Sequence, residues 1–97
     1  MPTYIVLGQF TDQGIRNVKE TTKRAQALKD MAKKFGATVN AVYWTLGQYD
    51  IATIVDAPDD TSVNALFLSV GALGNVRTQT LRAFSADEMG QILGRMA

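Results

Sequence analysis

Two groups of residues in this chain have the types and spacing that functional chemistry would need: the adjacent pair Tyr49-Asp50, and a set of polar side chains spaced around one tryptophan, namely Asn40, Trp44, Thr53, Thr78, Thr80 and Arg82. A carboxylate beside a phenol can act as a general acid and base. Turn chemistry accounts for the same pair more simply: in Gly47-Gln48-Tyr49-Asp50, Gly47 supplies a positive φ and Asp50 hydrogen-bonds local backbone. The tryptophan set combines an apolar lining with a few convergent polar groups, a composition suited to an aromatic or anionic small molecule. The competing reading is that these residues pack and pair between subunits. Arg77 and Arg82 suit a carboxylate or phosphate, or serve as edge charges that discourage unwanted strand pairing. Pro2 would become a terminal secondary amine, a potential base, if Met1 were removed, but Met-Pro openings are common by chance. Gly71 and Gly74 lack the spacing and the lysine of a phosphate loop.

Composition narrows the chemistry further. The 97 residues include no cysteine and no histidine, which removes thiolate and imidazole nucleophiles, disulfides, iron–sulfur clusters and histidine-ligated haem. No metal site and no cofactor are expected, since only oxygen ligands remain. With 46 % apolar and 20 % charged residues, the chain reads as one globular domain spanning 1–97. Net charge is +1, yet seven of the ten basic residues lie between Arg16 and Lys34. Such a segment can bind nucleic acid, but here it lacks interleaved aromatics and includes Glu20 and Asp30. It reads as the solvated face of an amphipathic helix, so no nucleic-acid partner is expected. No apolar run reaches membrane-spanning length and no secretory leader is evident, so a cytoplasmic protein without membrane contact is expected.

The elements that must position these groups follow from periodicity. Thr3 to Phe10 is β-branched and aromatic and reads as a strand. From about Asn17 to Phe35 the apolar residues Val18, Ala25, Leu28, Ala32 and Phe35 recur at helical spacing, with Gly36 as the stop. Strands are predicted over Ala37–Leu46 and Ile51–Ala57, joined by the turn at residues 47–50, with Leu46 opposite Ile51, Trp44 opposite Thr53 and Val42 opposite Val55. Asp59 and Asp60 open a second helix through Val63, Leu66, Phe67, Val70 and Leu73, which Gly74 ends. A fourth strand covers Asn75–Phe84, and Ser85-x-x-Glu88 has capping-box spacing before a short helix carrying Met89, Ile92, Leu93 and Met96. The order β-α-β-β-α-β plus a helix is the ferredoxin-like α+β plan, with an antiparallel sheet and both long helices on one face.

A sheet covered on one side should alternate apolar with polar residues, and these strands do not. Tyr4, Val6 and Phe10 oppose Ile5 and Leu7; Val42, Trp44 and Leu46 oppose Val39, Ala41 and Tyr43. A bare apolar face of that extent calls for a partner, most simply a second copy of the chain. The face carrying Trp44, Thr53, Val76, Thr78, Thr80 and Arg82 is expected to be the open one.

The stretch from Tyr43 to Phe84 resembles the GYD domain family. The resemblance is carried by Tyr43-Trp44-Thr45-Leu46-Gly47-Gln48-Tyr49-Asp50, by Ala57-Pro58-Asp59-Asp60 and by Leu73-Gly74-Asn75 through Phe84. It implies a ferredoxin-like subunit of the dimeric α/β barrel type, without implying a settled activity. Two functions follow as expectations: a small-molecule-binding or accessory protein acting as a homo-oligomer, or a cofactor-independent oxygenase or isomerase working through Trp44, Asn40 and Arg82.

Overall fold

The computed structural model covers residues 1–97, and its four strands and three longer helices follow the predicted order. Strands β1 (Thr3–Phe10), β2 (Thr38–Trp44), β3 (Ile51–Asp56) and β4 (Val76–Ala83) form one antiparallel sheet in the order β2-β3-β1-β4. Helices α2 (Thr21–Lys33) and α3 (Asp60–Ala72) pack on one face of it, and α4 (Ala86–Gly94) follows β4. This is the α+β, ferredoxin-like architecture.

The core lies between that sheet face and the two helices. Tyr4, Val6 and Val55 from the strands meet Ala32 of α2 and Val63, Leu66 and Phe67 of α3, with Leu28, Met31 and Val70 at the margin. Only 12 residues are buried in the whole chain, so the core is thin, as expected of a small domain.

The first helix departs from the periodicity reading. Instead of one helix over residues 17–35 there is a 3₁₀ turn at Val18–Glu20 and then α2, and an additional short helix, α1 (Asp12–Arg16), precedes them directly after β1. The break has a steric and a polar cause. Gly14 lies so close to the residue preceding β4 that a Cβ there would fall 1.9 Å from the Asn75 carbonyl oxygen, which fixes α1 against the start of that edge strand. At the joint the Asn17 side chain adds a bond to the Gln13 carbonyl, and Arg24 donates to the carbonyls of Gly14 and Asn17, tying the first turn of α2 back to the end of α1.

The hairpin register also differs from expectation. Trp44 pairs with Ile51 and Val42 with Thr53, two residues along from the predicted pairing, and the connection begins at Thr45. Leu46 is fully exposed at its tip, not paired with Ile51. A bulge between Val39 and Ala41 then places Val39 opposite Val55, on the helix side, where alternation alone would have turned it away. Asp59 caps α3 by accepting from the Ser62 N–H, and Ser85 and Glu88 form a reciprocal capping box at α4.

Candidate functional site

A shift of two residues preserves strand parity, so Trp44, Thr53, Thr78, Thr80 and Arg82 do share a sheet face. That face is the one beneath the helices, however, and the expectation that it is the open face is overturned. The reason is that both faces of these strands are apolar, and alternation defines two sets of residues without stating which set the helices cover. Asn40 was expected in the same set, but the bulge turns it to the opposite side, where its side-chain amide donates to Asp56 Oδ2 at 2.9 Å.

On the helix side the candidate residues divide between two depressions. Trp44, Thr53 and Thr78 line a cavity of about 110 Å³ between α2, α3 and the sheet, together with Val6, Phe10, Thr21, Arg24, Leu28, Met31, Phe67, Val70 and Asn75. The Trp44 indole N–H donates to Thr21 Oγ1 at 3.0 Å, tying the end of β2 to the first turn of α2. Thr80 and Arg82 instead border an open groove along α3, with Tyr4 and Asp60. There the Tyr4 hydroxyl donates to Asp60 Oδ1 at 2.5 Å, and burial, then that bond, push the phenol up to about 12. Arg82 pairs with Glu88 at 3.1 Å and lies over the Phe84 ring at 4.6 Å. The backbone Ser85 N–H and then Arg82 hold the Glu88 carboxyl below its ordinary range.

Trp44 and Arg82 therefore sit on opposite edge strands, and Asn40 points to the other side of the sheet. The three residues assigned to a catalytic reading do not converge on one substrate position.

The Gly47-Gln48-Tyr49-Asp50 turn has a structural role that reaches further than a local turn. Gly47 adopts φ +99°, a conformation that favours glycine, so this part of the expectation holds. The Asp50 carbonyl closes the turn by accepting from the Thr45 N–H at 2.8 Å, but its side chain bonds β1 and not the turn: Oδ2 accepts from the Phe10 N–H at 2.8 Å, and the Asp50 N–H donates to the Gly8 carbonyl at 2.8 Å. The Tyr49 hydroxyl donates to Gln79 of β4 at 2.8 Å, and Gln9 of β1 donates to the Gln48 carbonyl at 2.9 Å. The turn is thus latched onto two further strands.

The face away from α2 and α3 displays Ile5, Leu7, Ala41, Tyr43, Ala52, Ile54 and Leu81, none of them buried, with Tyr43 61 % exposed. Its polar margin is ordered by Asp56, which accepts from Thr3 Oγ1 at 2.7 Å and from Asn40. Those two bonds, Thr3 first, hold the Asp56 carboxyl below its ordinary value. The Thr3–Asp56–Asn40 cluster was not anticipated from the sequence, although Thr3 shares strand parity with Ile5 and Leu7. Nor were Arg24 and Thr21, for which one-dimensional spacing holds no signal.

No group of histidine, cysteine, aspartate and glutamate side chains in the structure is arranged to hold a metal ion, and no helix is long and apolar enough to cross a membrane. Among characterised proteins, the chain is similar to the "glutamine synthetase and cystathionine beta-lyase binding protein" of Thermus thermophilus, with 33 % identity over 90 residues, covering 92 % of this chain and 95 % of that one. It is also similar to a protein of known crystal structure from Thermus thermophilus, with a TM-score of 0.57 and 28 % identity, covering 89 % of this chain and 96 % of that one. The GYD domain pattern matches residues 4–93, a span wider than the Tyr43–Phe84 stretch that first suggested it, and the chain belongs to the GYD domain family.

Proposed function

We propose that this protein is a non-catalytic accessory subunit that assembles with itself through the bare sheet face and, as an oligomer, docks onto enzymes of nitrogen or sulfur amino-acid metabolism. The observation that carries the reading is the second apolar face. Ile5, Leu7, Tyr43, Ile54 and Leu81 form one contiguous patch on a sheet whose own helices cover the other side. A patch of that kind marks an interaction surface. Pairing two such sheets about a two-fold axis would give the dimeric barrel arrangement.

The nature of the docking partners rests on the Thermus relative, whose name states that it binds glutamine synthetase and cystathionine beta-lyase. The scatter of Asn40, Trp44 and Arg82 over two faces and two edges favours this binding role over an oxygenase or isomerase.

Sedimentation velocity at micromolar concentration tests the first part. The native chain should run as a dimer or larger, and Ile54→Glu or Leu81→Glu should shift it toward the 10.6 kDa monomer. A native chain that runs as a clean monomer refutes the assembly. Biolayer interferometry against glutamine synthetase and cystathionine beta-lyase from the same cell tests the second part, and absence of saturable binding to both refutes the docking role.

A further inference from the structure

We propose that the cavity between α2, α3 and the sheet is a binding site for a small monocarboxylate, whose short branched-alkyl or phenyl tail fills the apolar interior while its carboxylate meets Arg24. The cavity is independent of the bare sheet face, because it lies on the opposite side of the sheet.

Size and lining define the tail. The space is about 110 Å³ and its walls are mostly hydrophobic, with Val6, Phe10, Leu28, Met31, Phe67 and Val70 among them. Apolar cavities of about 150 Å³ stay dry and take up a benzene-sized guest. A group between isobutyl and phenyl in size matches this volume.

Three polar observations define the head. Arg24 lines the cavity and commits only Nη2, to the carbonyls of Gly14 and Asn17 at 3.3 and 2.9 Å. Its Nη1 and Nε donors remain uncommitted, and neither of the two ion pairs in the molecule, Lys23–Glu20 and Arg82–Glu88, involves it. An unpaired guanidinium edge is the natural partner of a carboxylate, through two parallel N–H···O bonds. Second, Arg24 lies in the first turn of the 13-residue α2, whose N-terminus has no side-chain cap, so the positive end of the helix dipole adds to the field. Third, Thr53 is only 4 % exposed and its hydroxyl takes part in none of the side-chain hydrogen bonds, yet no sealed side-chain polar atom lacks a partner. Its hydroxyl therefore faces the cavity space, where it can bond a ligand. Trp44, half-exposed and tied to Thr21, forms the wall between this space and solvent.

The test is a ¹H–¹⁵N NMR titration of the full chain with benzoate and isovalerate, beside their uncharged counterparts benzamide and isovaleramide. The acids should give saturable shifts at the Trp44 indole and at the Thr53 and Thr78 amides, and the amides should bind about tenfold or more weakly. Arg24→Gln should reduce the acids to the level of the amides, and Val70→Phe, which fills the space, should abolish the shifts for all four probes. Ala25→Leu, at another position lining the cavity, replaces Val70→Phe if that variant does not give a folded spectrum. The proposal is overturned if no probe shifts these signals saturably, if acids and amides bind equally, or if the shifts survive the filling substitution. Sedimentation behaviour does not enter this test, so its result is separable from that of the accessory role.

Discussion

Tyr4 buries its ring against α3 and directs its hydroxyl to Asp60, and this bond ties stability to alkaline pH. Burial first and the Asp60 carboxylate second raise the phenol from 10.0 to about 12, so between these values the unfolded chain releases a proton that the folded chain keeps. Stability from this group is whole below about pH 10 and is lost as pH rises through about 12. Tyr4→Phe should cost about 1 kcal/mol near neutrality and flatten that alkaline decline in urea melts collected over pH 9 to about 12. Asp56 works in the opposite sense: its carboxyl is held down from 3.8 by Thr3 and then Asn40, so its contribution is present above about pH 4 and fades as pH falls through the depressed value. Asp56→Asn should therefore reduce acid sensitivity in urea melts collected from neutral pH down to about pH 2. Asp50→Ala leaves the Phe10 N–H without its acceptor, and a loss of about 1–3 kcal/mol is expected in denaturant unfolding. Each of these bonds joins residues at least 40 apart in sequence, except that between Asn40 and Asp56, which are 16 apart. Composition and local spacing hold no trace of such bonds.

Among the elements, α4 is the one whose environment the chain leaves incomplete. Its capping box is fully formed, but it buries no residue: Met89, Ile92 and Leu93 stay exposed along its apolar side, and so does Met96 just past its end. The radius of gyration of 14.5 Å exceeds the roughly 12.5 Å expected of a compact chain this long, and α4 standing off the body accounts for the difference in part. A nine-residue helix carrying Gly90 and Gly94 is marginal on its own, so its stability must come from tertiary or quaternary cover. Truncation after Ser85 should accordingly leave the dispersed NMR spectrum of the sheet and α2–α3 core intact while weakening self-association in sedimentation equilibrium. An unfolded truncation product would instead show that α4 supports the core. The helix itself was legible, because Ser85-x-x-Glu88 and the apolar spacing that follows are local signals. Its lack of a partner within the chain was not.

For the molecule as a whole, the thin core and the bare face have a joint consequence. If the proposed assembly buries Ile5, Leu7, Ile54 and Leu81 between copies, association stabilises the folded state by mass action, and the thermal midpoint should rise with protein concentration. Differential scanning calorimetry across a hundredfold concentration range should show that dependence for the native chain and lose it for Leu81→Glu. A midpoint independent of concentration would mean that the sheet face contributes nothing through self-association.

The order of strands and helices, the caps at Asp59 and Ser85, the positive-φ turn at Gly47 and the presence of two apolar sheet faces were all determined by the sequence alone, because each arises from neighbours a few residues apart. Tertiary structure decided which of the two faces lies beneath α2 and α3, where the bulge at Val39 and Ala41 falls, and which strands Asp50 and Tyr49 latch together. When both residue sets of a strand are apolar, alternation cannot rank them, and only the packing of helices selected from far along the chain assigns one set to the core and leaves the other bare.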